Sequence, residues 1–204
     1  MRNILYFLSV VIVLTACSGT KKISRSNLQP GFSAHETSMI LEKDSLTPMR
    51  VFKTVNTTDL QLLKSKSTDF EADPDDPTLR HFISRLYHTV QDSASRGVGI
   101  AAPQVGILKN IIWVQRFDKE NKPFEVYLNP RIIQYSTLKQ ECREGCLSIP
   151  DRMDTLNVRS YAILLEYEKM DRTRHIEMIE DFTAVIFQHE IDHLNGILYT
   201  DRLE

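Results

Sequence analysis

Hydrophobic side chains, followed by two histidines in the second case, recur at helical spacing in two segments of the chain. In both segments successive positions are separated by steps of three, one, three and four residues, which places them on one face of a helix. The first set is Leu79, Phe82, Ile83, Leu86 and Val90, and the second is Phe182, Val185, Ile186, His189 and His193. We therefore predict a helix over about 77–94 and another over about 181–194 that ends near Gly196.

The segments between these helices are rich in β-branched and aromatic residues and predict strands. They are residues 110–117, 125–133, 161–170 and 174–181, and polar turns join them in two pairs. Residues 96–106, RGVGIAAPQVG, form instead a loop of small residues where backbone can approach a ligand closely. The loop lacks the third glycine of a dinucleotide-binding turn and follows a helix, which argues against a Rossmann or P-loop site. The pattern predicts an α+β domain whose antiparallel or mixed sheets pack around a C-terminal helix.

Composition is that of one ordinary globular domain. The chain has 204 residues, of which 42% are hydrophobic and 25% charged, enough for a single core. The formal net charge is −2, which provides no basic surface, so we expect no nucleic-acid partner. Globular patterning begins near Met49, and we predict one domain over 49–204.

The N-terminal residues have the pattern of an export signal. Arg2 precedes an apolar run over residues 4–14, which is too short to span a bilayer but matches the apolar region of a signal peptide. The run ends in Leu-Thr-Ala-Cys, which resembles a bacterial lipoprotein signal. This predicts a signal peptide over 1–16, acylation of Cys17 and a membrane anchor in the cell envelope outside the cytoplasm. An ordinary secretory leader or a buried strand are the alternatives.

Residues 17–48 are polar and lack sustained periodicity. We predict a tether that holds the domain away from a membrane by roughly 30 Å. The chain has three cysteines, so Cys142 and Cys146 do not constitute a disulfide framework of the kind small secreted domains need.

The sequence His189-Glu190-Ile191-Asp192-His193 is an H-E-x-x-H motif within the second predicted helix. Histidines four residues apart lie one turn apart and can reach one metal ion, while the glutamate can contact water beside the ion. A catalytic site needs a third protein ligand and an open position. After Gly196 the chain offers no His or Cys and only two carboxylates, so the best candidate lies upstream, at Cys146.

Three motifs in order resemble the signature motifs of peptide deformylases. They are GVGIAAPQ at 97–104, EGCLS at 144–148 and HEIDHLNG at 189–196, and the wider resemblance covers about Met49 to Leu203. It implies a peptide-deformylase-like fold and the hydrolysis of N-formylmethionyl peptides. It also implies one divalent metal ion, usually iron(II), with zinc or nickel as substitutes, bound by Cys146, His189 and His193.

The resemblance further implies roles for other residues. Glu190 would be the general base, and the Gln104 amide and the Leu147 backbone N–H would stabilise the oxyanion. The candidate substrate-binding residues are Gly97, Val98, Gly99, Phe182, Val185 and Ile186, although the apolar ones are equally well explained as plain core. We expect a monomer.

The chain departs from the family pattern at several positions. Asp181 stands where a glycine commonly precedes the phenylalanine of the last helix. Met153 stands where an arginine is often found, with Arg152 one residue early, and VNTTDLQ at 55–61 replaces a segment usually rich in Gly, Asp and Pro. These differences fall in substrate-facing or neighbouring loops and not at the expected metal ligands, so we expect them to affect peptide preference more than chemistry.

The export signal conflicts with a substrate that arises in the cytoplasm. The alternatives are an envelope hydrolase of another N-acyl group and a catalytically silent metal-binding lipoprotein, against which the presence of Glu190 and Gln104 argues. Outside the cytoplasm iron(II) is easily oxidised, which favours zinc or another redox-stable ion. Cys142 and Cys146 could also oxidise to a disulfide there unless metal binds first.

Overall fold

A five-stranded antiparallel sheet forms the centre of the domain. The computed structural model describes residues 29–93 and 97–203. The sheet contains β3 (Gly99–Ala101), β4 (Ile111–Gln115), β5 (Phe124–Tyr135), β8 (Ala162–Glu168) and β9 (Arg174–Glu180), hydrogen-bonded in that order. Short β3 lies at one edge of this sheet, with β4 as its partner.

The remaining elements surround this sheet. The helices are α1 (Ala34–Leu41), α2 (Thr57–Leu63), α3 (Pro77–Gln91) and α4 (Asp181–Leu194), with 3-10 turns at Ala102–Val105 and Tyr199–Arg202. The strands β6 (Lys139–Cys146) and β7 (Ile149–Ser160) form a separate antiparallel hairpin, and β1 (Gln29–Pro30) pairs in parallel with β2 (Phe70–Glu71). The architecture is α+β, as predicted.

Two hydrophobic clusters cover the two faces of the sheet. Alternate residues of a strand point to opposite faces, and in β4 Ile111 packs with the apolar face of α3 while Ile112 and Val114 pack with that of α4. In α4, Phe187 is fully buried and its ring lies edge-on to that of Tyr127, with centroids 4.7 Å apart. Because α4 lies between the sheet and the β6–β7 hairpin, with residues of α4 contacting β7, its polar side chains are enclosed by protein.

The prediction of a tether up to residue 48 is wrong for its C-terminal part. Ser33 and Glu36 form a capping box at the start of α1, and Ile40 of this helix is fully buried. The buried guanidinium of Arg85 on α3 donates to the carbonyls of Met39 and Ile40, which fixes the end of α1 to the core. Helix α1 has only eight residues, of which Ile40 is the buried one, so its sequence shows no helical periodicity. The predicted signal peptide over 1–16 and the lipidation residue Cys17 lie outside the described residues.

None of the helices described for residues 29–93 and 97–203 has the length and apolar character required to cross a bilayer. The predicted helices occur at 77–91 and 181–194, and each of the four predicted strands overlaps an observed one. The β6–β7 hairpin was not predicted, because most of β7 is exposed and its burial pattern does not alternate.

Candidate metal centre

Three potential metal ligands from two elements meet at one point. His189 and His193 lie one turn apart on α4 with ring centroids 5.0 Å apart, and Cys146 ends β6. The Cys146 Sγ lies 3.2 Å from the Nε2 of His193, and the ligand atoms of all three residues lie within 4.8 Å of one another. The residues predicted to bind the metal are therefore brought together.

The electrostatics of the cluster favour a thiolate. Burial raises the pKa of Cys146, but the two neighbouring histidines outweigh burial and hold this pKa well below its ordinary value. Burial lowers the pKa of His189, but Cys146 and Glu144 outweigh it and raise this pKa well above its ordinary value. The thiolate is the form of cysteine that binds metal ions.

A chain of buried ion pairs orients His189. The Glu144 carboxylate accepts from the His189 Nδ1 at 2.8 Å, which directs the other ring nitrogen towards Cys146. Arg159 of β7 donates to both oxygens of Glu144, at 2.7 and 2.8 Å, and to Asp192 of α4 at 2.6 Å. Arg202 of the C-terminal 3-10 turn donates to both oxygens of Asp192. The roles of Arg159, Asp192 and Arg202 have no signal in the sequence, because charged residues of this kind are usually solvated.

Glu190 is buried beside the cluster. Its side chain is 4% exposed overall, and among the described residues its Oε2 has no hydrogen-bond partner. Burial, only partly offset by His189 and His193, raises its pKa to about 7. A Cβ added to Gly99 would lie 2.9 Å from the Glu190 Cγ and Cδ, so a glycine is required for the carboxylate to occupy this position.

Gln104 is held by the small-residue loop and points to the cluster. Its Oε1 accepts from the Ala101 N–H at 2.9 Å, which fixes the amide so that its Nε2 lies 3.2 Å from the Ser148 Oγ and 3.6 Å from the Cys146 Sγ. Gln104 is 2% exposed. Leu147 follows Cys146 at the tip of the hairpin, and its carbonyl accepts from the Lys53 ammonium group.

A cavity of about 940 Å³ opens onto these residues. The predicted substrate-binding residues Gly97, Val98, Gly99, Phe182, Val185 and Ile186 all line it, as do Cys146, His189 and Glu190. Val185 and Ile186 are buried, whereas Phe182 is 40% exposed. The cavity thus has an apolar wall on α4 and a more polar wall on the β6–β7 hairpin.

Two expectations about individual residues change with the structure. Asp181 has a φ of +56°, a left-handed conformation that favours glycine, which explains why a glycine is common at this position.

Cys142 and Cys146 lie on the same strand, and four residues of strand span about 13 Å, too far for a disulfide. The disulfide hypothesis is therefore wrong for the folded domain. Burial and the nearby Glu144 raise the pKa of Cys142 to about 12, which disfavours the reactive thiolate form.

The donor set fits a divalent transition-metal ion. One thiolate and two imidazoles are common ligands of such ions, and three protein ligands leave one position open in a tetrahedral site. Glu190 lines the same cavity, and its Oε2 has no hydrogen-bond partner among the described residues, which suits a carboxylate that acts on a solvent molecule. This combination is the arrangement of a metal-dependent hydrolase.

Comparisons with known proteins identify the family within this class. A family model described as Polypeptide deformylase matches residues 52–204, so the chain belongs to the polypeptide deformylase family. The peptide deformylase of Finegoldia magna is 34% identical over 142 residues, which are 70% of this chain and 83% of that protein. The peptide deformylase of Brachyspira hyodysenteriae is 43% identical over 133 residues, which are 63% of this chain and 70% of that protein.

Solved structures show the same fold. A class I type b peptide deformylase from Acinetobacter baumannii with bound Met-Ala-Ser has a TM-score of 0.68 and 30% identity, covering 77% of this chain and 99% of that chain. The Thermotoga maritima peptide deformylase has a TM-score of 0.67 and 29% identity, covering 77% of this chain and 98% of that chain.

Proposed function

We propose that this protein is a peptide deformylase that hydrolyses the formamide of N-formylmethionyl peptides. The observation that carries the proposal is the cluster of Cys146, His189 and His193 at the edge of a cavity that Glu190 and Gln104 also line. Family membership supports the reaction, and the Met-Ala-Ser complex of the Acinetobacter baumannii relative supports the substrate class.

Cys146, His189 and His193 would hold the metal ion. When bound, the ion supplies Lewis acidity, which makes water a stronger acid near neutral pH. Iron(II) is the ion implied by family resemblance, and zinc or nickel suits the same donors. Metal analysis of protein isolated from its own cells distinguishes these ions, and a site in an oxidising compartment would favour zinc.

Glu190 would move the proton. Its buried carboxylate takes a proton from the attacking water and passes it to the departing amine nitrogen, so that the C–N bond breaks to give formate and a free N-terminus. A glutamate with a pKa raised by burial is suited to both transfers near neutral pH.

Gln104 and Leu147 would stabilise the formyl oxygen as it gains charge. The Gln104 Nε2 already lies beside Cys146, and its Oε1 is fixed by the Ala101 N–H, so the amide donor is preorganised. The Leu147 backbone N–H follows Cys146 directly and would be the second donor. The apolar wall of Val98, Phe182, Val185 and Ile186 would receive the methionine side chain.

Hydrolysis of formyl-Met-Ala-Ser by anaerobically purified protein tests this proposal. We expect Glu190→Gln to keep its metal and to lose roughly 10²–10⁴-fold in kcat. The matched control is Glu180→Gln, an exposed glutamate immediately before α4. A metal-loaded wild type without activity would exclude formyl-Met peptides and favour another acyl group or a silent relative.

We further propose that Cys17 is acylated and anchors the domain in the cell envelope. The support is the apolar run and the Leu-Thr-Ala-Cys junction of residues 14–17. Residues 18–28 separate Cys17 from β1, and eleven residues span at most about 40 Å. Cys17→Ala should move the protein from the membrane fraction to the supernatant, and retention of the variant in membranes would contradict the anchor.

A further inference from the structure

One cation on the cavity wall has no part in the proposed chemistry. Arg143 lies on β6, three residues before Cys146, where it is exposed and lines the cavity. Among residues 29–93 and 97–203, no side chain forms an ion pair or hydrogen bond with its guanidinium. An exposed arginine with its donors available at a substrate cavity is a candidate for binding an anion.

The other cations of the cavity are already engaged. Arg152 forms an ion pair with Asp154 at 2.8 Å, and the Lys53 ammonium donates to the carbonyl of Leu147. These partners give both side chains a structural explanation. Arg143 lines the same cavity but has no such partner among the described residues.

The nearby acids do not occupy Arg143. Glu144 points to the opposite side of β6, where Arg159 and His189 bind it. Asp151 also lines the cavity, but Gly145 pairs with Met153, which places Asp151 about four residues, or 13 Å, further along the hairpin. Glu141 shares the face of Arg143 two residues further from Cys146 and does not line the cavity.

The distance of Arg143 from Cys146 determines which residue of a bound peptide its guanidinium can contact. Three residues of strand separate Arg143 from Cys146, a distance of about 10 Å. A peptide that binds in extended form alongside β6, with its formyl group at the metal ligands, covers the same distance in about three residues. The guanidinium is therefore within reach of groups on the third residue of the peptide.

We propose that Arg143 is a specificity-determining residue that binds a carboxylate on the third residue of the substrate. The inference rests on the proposed deformylase function and names its substrate class. The carboxylate has two sources: an acidic side chain at the third position, or the free C-terminus of a formyl tripeptide. In the second case the enzyme selects short released peptides over longer chains.

Matched peptides test the two sources separately. The first pair is formyl-Met-Ala-Ser as free acid and as amide, and the second is formyl-Met-Ala-Glu-amide and formyl-Met-Ala-Gln-amide. For wild type we expect the KM of the carboxylate peptide to be about fivefold lower than that of its neutral partner in at least one pair, with similar kcat, since the contact is exposed. The difference should shrink as salt is added.

Variants assign the preference to Arg143. In Arg143→Gln the ratio of the two KM values should approach one, Arg143→Lys should restore part of the difference, and Arg152→Gln should keep it. Equal KM values within both pairs for wild type would overturn the proposal, as would an equal loss of preference in Arg152→Gln.

Binding of the product peptide keeps the test independent of turnover. Calorimetry with the deformylated product of each of the four peptides should show, for wild type, tighter binding of the carboxylate peptide than of its neutral partner in at least one pair, and for Arg143→Gln in neither pair. If no peptide is hydrolysed, the proposed function fails. The calorimetric comparison still decides whether Arg143 recognises a carboxylate.

Discussion

Gly99 controls the position of the proposed general base. It lies on edge strand β3, and its backbone is outside the left-handed region, so alanine can adopt the same conformation. The three atoms nearest to the added Cβ all belong to the Glu190 side chain. Gly99→Ala thus perturbs Glu190 without changing any ionisable group.

The structure sets the size of the perturbation. The new Cβ would lie 2.9 Å from the Cγ and Cδ of Glu190, whereas ordinary contacts begin at 3.4 Å. The carboxylate must therefore move by about 0.5–1 Å, and a misplacement of about 1 Å can cost roughly 10²-fold in rate. Because Glu190 is enclosed, we also expect a loss of stability of about 1–3 kcal/mol from overpacking.

The assay compares kcat/KM, metal content and thermal unfolding of Gly99→Ala with those of Gly97→Ala. At Gly97 the three atoms nearest to the added Cβ are methyl groups of Val90 and Leu147, at 3.0 and 3.1 Å, and the Gly99 carbonyl oxygen at 3.3 Å, and none of them belongs to Glu190. We expect a much larger rate loss for Gly99→Ala, with metal retained in both. Wild-type kcat in a folded Gly99→Ala would refute the assignment of Glu190 to this position.

Three further predictions follow from contacts outside the reacting atoms. The Tyr199 ring stacks on His189 with centroids 5.9 Å apart, so Tyr199→Leu should weaken metal binding roughly 10-fold in a chelator competition while Tyr199→Phe stays close to wild type. The fully buried guanidinium of Arg116 binds several carboxylates. Arg116→Met should therefore lower the free energy of unfolding, measured in urea, by about 3–5 kcal/mol, while kcat is retained in the folded fraction. An unchanged urea midpoint would count against a stabilising role of this network. The Arg50 hydrogen bond lowers the pKa of Asp59 below its ordinary 3.8. The stability that this hydrogen bond contributes is present above pH 3.8 and is lost as the pH falls through the lowered pKa. The difference in unfolding free energy between wild type and Asp59→Asn should therefore shrink in acid. A difference that stays constant with pH would exclude this linkage.

The main helices and the metal ligands could be predicted from sequence for a simple reason. In α4 the same residues satisfy helical periodicity and carry the H-E-x-x-H motif, so local pattern and chemistry agree. The position of the third ligand depends on a long-range pairing, since Cys146 and His193 are 47 residues apart in sequence. Elimination of the downstream residues was enough to suggest Cys146, but not the hairpin that places it.

The parts that sequence could not show depend on tertiary burial of polar groups. Arg159 and Glu144 resemble surface residues in the sequence, yet both are buried because each satisfies the other. The short helix α1 also lacks a periodic signal, and its place in the fold depends on the carbonyls that Arg85 binds. Such contacts are specified by pairs of distant residues and have no local pattern.

The buried ion pairs explain how a site built from separate elements keeps its geometry. Cys146 belongs to the β6–β7 hairpin, whereas the two histidines belong to α4. The hairpin is a separate two-stranded sheet, and no ladder of backbone hydrogen bonds joins it to the helix. Arg159 on β7 binds Glu144 on β6 and Asp192 on α4 at the same time. The hydrogen bond between His189 and Glu144 then fixes the orientation of a ligand ring relative to these ion pairs. Because breaking one member leaves another charge buried and unpaired, the network resists small displacements of the hairpin relative to the helix, which is the motion that would separate the thiolate from the imidazoles.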